Sequence, residues 1–223
     1  MLKIGVLLPG RFSDAGDFLA DARALDAAGV DSLWLPGDGL DPWLVLAGVA
    51  SVTGRARLAV PLSPRDAADA DGLGRRLDTL AILSRGRLLP VIAGVPEPAE
   101  AEVLVACARG DGRPVLMRAD GGPAALLAGR LADGLVAAQE PARCHATFDQ
   151  VRDRRSRDRQ SAPFELWTRV AVPAGRDAWR GALAAATAAG ATGVVVPFDP
   201  RLLDLIRNPD EDEDRSDLTL AQG

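Results

Sequence analysis

Short apolar runs alternate with stretches of helical periodicity along most of the chain. The runs are Ile4–Leu8, Ser32–Pro36, Arg57–Leu62, Arg87–Ala93, Pro114–Arg118, Asp133–Ala138, Leu166–Val172 and Gly193–Pro197, which makes eight candidate strands. Several are almost continuously apolar, as in Gly193-Val194-Val195-Val196. That composition suits strands buried on both faces, as in parallel sheets, and requires helices to cover them. The segment Asp14–Ala28 supplies one such helix: Phe18, Leu19, Ala22, Leu25 and Ala28 recur at helical spacing and Gly29 follows as a stop. Asp177–Ala189 repeats the arrangement, with Trp179 and Leu183 on one stripe and Gly190 at the end. This alternation predicts an α/β fold with a parallel sheet, either a closed (β/α)8 barrel or an open doubly wound sheet.

The 223 residues are somewhat fewer than the roughly 250 of an ordinary α/β barrel, so one compact domain over residues 1–208 is expected. Arg152–Gln160 carries mixed charge without an apolar stripe and reads as a solvated helix end and loop. After a last helix-like stretch, Arg201–Ile206, residues 209–223 turn acidic and read as a mobile tail. The net charge of −5 and the run Asp210–Asp214 argue against nucleic acid as a partner. No apolar run approaches the ~20 residues of a membrane span, and Met1–Val6 enters a strand directly, without the features of a secretory leader. A cytoplasmic protein is therefore expected. Cys107 and Cys144 have neither metal-type nor redox-type spacing.

Three segments resemble the bacterial luciferase-like oxidoreductases, a (β/α)8 family that uses FMN or the deazaflavin coenzyme F420. They are Lys3–Pro9 with Ala28–Pro36, then Thr53–Leu58 with Leu77–Leu88, and finally Leu126–Gly134, with a weaker echo in Ala189–Thr192. The resemblance implies a closed, TIM-type barrel with its site at the C-terminal ends of the strands. It also implies a polar group after the second strand, where in Pro36–Asp41 only Asp38 can stand in; apart from the resemblance, Asp38 and Asp41 are both carboxylates that acid–base chemistry could use. After the third strand it implies an unusual cis peptide against the flavin, at Ala59-Val60, followed by Ser63. After the fourth strand the family carries a long insertion, whereas here Ala93–Pro98 leads quickly onward, so a shortened loop is expected.

The strongest remaining binding feature is Arg118-Ala119-Asp120-Gly121-Gly122-Pro123, which leaves a strand and enters a helix. Two glycines allow close backbone approach, and a helix N-terminus attracts phosphate. Arg118, Gly121 and Gly122 are thus candidate cofactor-binding residues, together with Ala59, Val60 and Ser63. Asp120 can instead cap the same helix. Asp38 is the candidate catalytic residue, because the chain has no tyrosine and its single histidine, His145, falls on a helix-like stretch away from the strand ends. One histidine and two separated cysteines make a metal site unexpected. Trp34, Trp43, Trp167 and Trp179 read as core or interface residues.

Two functions follow. One is an oxidoreductase or monooxygenase of the luciferase-like kind, transferring hydride between FMN or F420 and a small organic substrate. The other is a cofactor-free relative that keeps the barrel as a ligand-binding or partner subunit, in a homodimer or in a heterodimer with a related barrel.

Overall fold

The computed structural model describes residues 2–94, 96–110, 112–119, 121–154 and 163–208. The acidic tail 209–223, Asp120 and most of Arg152–Gln160 lie outside these. The strands are β1 (Lys3–Leu7), β2 (Ser32–Trp34), β3 (Arg57–Leu62), β4 (Leu88–Ile92), β5 (Leu116–Arg118), β6 (Gly134–Ala137), β7 (Glu165–Arg169) and β8 (Gly193–Pro197). The covering helices are α1 (Ala15–Ala27), α2 (Pro42–Val52), α3 (Ala70–Leu83), α4 (Pro98–Arg109), α5 (Gly122–Leu131), α6 (Pro141–Arg154), α7 (Arg176–Ala188) and α8 (Leu202–Arg207), with a 3-10 turn at Pro64–Asp69. All eight strands are parallel and β8 closes on β1 through Lys3↔Gly193 to Leu7↔Pro197. The barrel is closed, as the resemblance implied.

Two predicted strands, Arg57–Leu62 and Gly193–Pro197, match the structure at both ends. β2 stops at Trp34, short of the predicted Pro36, where proline has no N–H for the ladder. β7 begins at Glu165, before its apolar run, because the Glu165 N–H still donates to the Asp133 carbonyl. Only Ala93–Glu97 separates β4 from α4, so the connection after the fourth strand is short.

Every second residue of each strand points into the bore, and the register sorts these residues into layers taken from alternate strands. Gly5, Ala59, Leu116 and Trp167 form a middle layer from the odd strands. Trp34, Val91, Val136 and Val195 form the layer above it from the even strands. The two indoles meet edge to face, with ring centroids 5.3 Å apart. They fit because glycine stands opposite each: a Cβ on Gly193 would lie 2.6 Å from the Trp167 ring, and one on Gly5 would collide with the Trp34 indole nitrogen. The outer core lies between strands and helices, where Val6, Leu33, Leu58, Val60 and Val194 are fully buried.

One acid ties this outer shell together. Asp26 of α1, only 8% exposed, accepts backbone N–H groups from Gly54, Arg55 and Ala56 at 2.9, 2.9 and 2.6 Å. Burial acts to raise its pKa as the largest single influence, but the three amides and the nearby Arg87 together hold it below the ordinary value. Asp26→Asn is expected to cost about 2–3 kcal/mol, since an amide nitrogen then faces N–H donors. A folded pKa below the unfolded one stabilises fully above the usual carboxylate range, and that contribution is lost as pH falls through the folded pKa. Thermal melts from pH 7 to pH 3 should therefore show the gap between native and variant proteins narrowing on the acid side. A constant gap would show that packing, not charge, holds the clasp.

Candidate active site at the barrel mouth

The lower end of the bore is sealed. Glu165 receives Lys3 Nζ at 2.5 Å and Arg57 Nη1 at 3.0 Å, and Arg57 also binds Asp31 at 2.6 Å. The Trp167 indole N–H donates to Glu165 at 2.8 Å, and the Arg57 guanidinium lies over the same ring at 5.8 Å. Sites of this architecture form at the opposite, C-terminal end.

At that end a cavity of about 220 Å³ opens above the indole pair. Its floor is Trp34, Ala59, Val91, Val136 and Val195, and its walls include Leu7 and Pro61. Two guanidinium groups, Arg118 at the end of β5 and Arg169 at the end of β7, complete the uppermost odd-strand layer with Leu7 and Pro61. Asp38, exposed on the loop after β2, is the one described carboxylate on the cavity wall. Leu7, Pro36 and Asp38 also border a neighbouring cleft of about 520 Å³ over the β1 and β8 loops. A larger hollow of about 630 Å³ lies between α4 and α5, lined by residues of both helices from Pro98 and Pro123 onward, and shares no lining residue with the cavity.

The predicted site residues divide into those the mouth gathers and those it does not. Asp38, Ala59 and Arg118 line the cavity. Val60 is fully buried in the outer core, as the alternation of a strand requires when Ala59 points inward. Ser63 lies outside the cavity lining and caps the 3-10 turn, its hydroxyl donating to Asp66 at 2.9 Å. Asp41 caps α2, accepting from the Trp43 and Leu44 amides at 2.8 and 3.3 Å. The cis peptide implied at Ala59-Val60 is corrected: no described peptide bond is cis, and β3 runs through these residues without interrupting its pairing to β4.

Gly121 and Gly122 start α5 with φ of +107° and +60°, and Pro123 follows in the first turn. Only glycine enters such a turn without strain. No side chain of Gly121 can cap the helix, and Asp120, the predicted alternative cap, lies outside the described residues. His145 sits on α6, exposed, 3.6 Å from Asp149, and takes no part in the mouth. Among the described residues no cluster of His, Cys, Asp or Glu could hold a metal, and no helix is long and apolar enough to cross a membrane. Arg169 was not singled out from the sequence, where it reads as the interior of an apolar strand. The i, i+2 series Glu165, Trp167, Arg169 was the available signal, since all three share the inward face.

No family model matches the sequence, and no curated protein matches it. Solved structures do. The coenzyme F420-dependent tetrahydromethanopterin reductase from Methanopyrus kandleri superposes with a TM-score of 0.75 at 11% identity, covering 94% of this chain and 98% of that one. An F420-dependent secondary alcohol dehydrogenase, solved with an F420-acetone adduct, gives 0.71 at 13% identity over 95% and 99%. A monooxygenase from Streptomyces bottropensis gives 0.62 at 18% identity over 85% and 78%. At such identities the likeness speaks for the architecture, and it agrees with the segments that pointed there from sequence. The chain has the fold of the luciferase-like flavin- and F420-dependent oxidoreductases, in a divergent form with a short connection after the fourth strand.

Proposed function

We propose that the barrel mouth binds FMN or coenzyme F420 and that the chain is an oxidoreductase acting on a small organic substrate. The observation that carries this is the pairing, at one end of the barrel, of an apolar floor with an α5 N-terminus opened by two glycines beside Arg118. A flat ring system suits the floor of Trp34, Ala59 and three valines. A phosphate suits free N–H groups at a helix N-terminus and a guanidinium. The cavity and the neighbouring cleft together reach the roughly 300–1,000 Å³ of ordinary ligand sites. When bound, the cofactor supplies the hydride-transfer chemistry.

The chain's own residues then position and shield. Trp34 and the valines exclude water from below, and Gly121 and Gly122 let the backbone approach a phosphate. Asp38, on the wall shared by both hollows, is the group placed to take or give a proton. Structural relatives that depend on F420 support the cofactor class. A cytoplasmic homodimer is part of the proposal, and the exposed apolar side chains Leu44 on α2 and Ile82 on α3, 74% and 78% exposed, support self-association.

The cofactor-free reading is favoured by two observations: the mouth has neither histidine nor tyrosine, and the loop after β4 is short. Titration of purified protein with FMN and with F420, followed by flavin fluorescence quenching, separates the two. Binding in the micromolar range, weakened about tenfold or more by Arg118→Ala and by Gly121→Asp, supports the oxidoreductase. Absence of binding for both cofactors at high micromolar concentration leaves the ligand-binding barrel. Light scattering on the same sample reads one chain against two.

A further inference from the structure

With a flat ring on the cavity floor, the cleft of about 520 Å³ over the β1 and β8 loops remains open, and it joins the cavity along Leu7, Pro36 and Asp38. Two loops shape its polar side. The loop after β1 carries Arg11 and the loop after β2 carries Asp38, and between them the Leu40 N–H donates to the Gly10 carbonyl at 2.9 Å. The backbones also touch: a Cβ on Gly10 would lie 2.6 Å from the Asp38 carbonyl oxygen. Arg11 and Asp38 thus stand on stitched loops, both exposed, and carry opposite charges into one cleft without pairing with each other. Among the described residues neither side chain makes an ion pair or a hydrogen bond. The rest of the lining is mainly apolar, with Leu8, Pro9, Pro197 and Phe198.

We infer that this cleft holds the substrate, and that the substrate is a small zwitterion, an α-amino acid with an apolar side chain. This rests on the mouth being the ligand site, and it deepens the oxidoreductase reading by naming the substrate class. A ligand with both charges satisfies Arg11 and Asp38 together. A simple anion gains Arg11 but faces Asp38, and a simple cation meets the reverse, so the pair selects against both. The lining also sets the direction of binding. Arg11 borders the cleft alone, whereas Asp38 borders cleft and cavity. The carboxylate therefore lies outward on the Arg11 fork, which offers it two parallel N–H donors. The ammonium group meets Asp38 at the junction with the cavity, so the carbon that bears it is the part of the substrate next to the floor. Phe198 and the prolines receive the side chain.

The test uses the full chain, with and without FMN or F420, so that its failure and the failure of the flavin reading are separable. Isothermal titration is run with L-leucine, with 4-methylpentanoate, which lacks only the amino group, and with 3-methylbutylamine, which lacks only the carboxylate. Arg11→Gln and Asp38→Asn are titrated alongside native protein, with circular dichroism and melting temperature confirming that each variant is folded. The expected result is binding of L-leucine about tenfold or more tighter than either analogue, since each lost charge-assisted contact costs at least that factor. Arg11→Gln should weaken L-leucine by a similar factor and leave 3-methylbutylamine unchanged, and Asp38→Asn should weaken L-leucine while leaving 4-methylpentanoate no weaker. No binding of L-leucine in either condition overturns the inference, as does an analogue that binds as tightly as L-leucine. Unchanged L-leucine affinity in a folded Arg11→Gln or Asp38→Asn protein overturns it too. If L-leucine binds as expected while FMN and F420 do not, the zwitterion site stands and the oxidoreductase reading falls. If a cofactor binds and L-leucine does not, the reverse holds.

Discussion

Trp167→Ala is expected to cost about 3–5 kcal/mol of stability, the range for removing a fully buried tryptophan. At about 2–4 °C of melting temperature per kcal/mol for a chain of this length, the loss should exceed roughly 6 °C. Trp167 is fully buried at the centre of the bore. Its ring lies edge to face with Trp34, the Gly193 backbone is pressed against it, and its indole N–H satisfies Glu165. Alanine would leave a void that eight hydrogen-bonded strands cannot collapse to fill, and one unpaired carboxylate lone pair at its lower edge. Melting of the variant against native protein measures the cost. A loss under about 1 kcal/mol would mean that the strands close inward after all, contrary to the usual incomplete relaxation of cavities.

Glu165→Gln should be the second large effect, about 3 kcal/mol, because it leaves Lys3 and Arg57 facing each other without their shared counter-charge. Asp31 still pairs with Arg57 at 2.6 Å, which limits the loss, and the partial exposure of these side chains limits it further. Burial is the largest influence on the Glu165 pKa and acts upward. The hydrogen bonds from Arg57 and Lys3, the Arg57 charge and the Trp167 indole outweigh it, so the net position is below the ordinary value. The stabilisation is therefore complete above the unfolded glutamate pKa of about 4.3 and disappears as pH falls through the lower, folded pKa. Chemical denaturation at pH 7 and at pH 3 measures this directly: the native protein should lose its advantage over the variant at the lower pH. A variant as stable as native protein at pH 7 would mean that the network contributes only register, not free energy.

How far the sequence was legible follows from which forces act locally. β3 and β8 were readable to the residue because they are bounded by turn-forming residues and are apolar on both faces. β5 was predicted from Pro114, but only Leu116–Arg118 pair, since the strand's length depends on where its neighbours β4 and β6 offer partners. Glu165 and Arg169 flank the apolar part of β7 and are both inward, a fact set by barrel closure and not by local hydropathy. The Gly5–Trp34 and Gly193–Trp167 complementarity was likewise out of reach, because it joins positions on different strands. Closure itself came from the resemblance, as the apolar pattern alone suited an open sheet equally well. Within the candidate site, Asp38 and Ala59 were named through the resemblance, and Arg118 by its place at the end of a strand. Val60 and Ser63 were named by neighbourhood to Ala59, and side-chain alternation and a capping preference take them elsewhere.

The position of Trp34 has an optical consequence. The chain contains four tryptophans and no tyrosine, so its near-ultraviolet emission comes from indoles alone. Trp34 is part of the cavity floor and stands 5.3 Å from Trp167, whereas Trp43 packs beside Arg76 and Trp179 is buried under α7. Any molecule that settles into the mouth alters the surroundings of one emitter directly and of a second through it, while the other two serve as an internal reference. The protein thus carries its own unlabelled reporter of occupancy at the bottom of the cup.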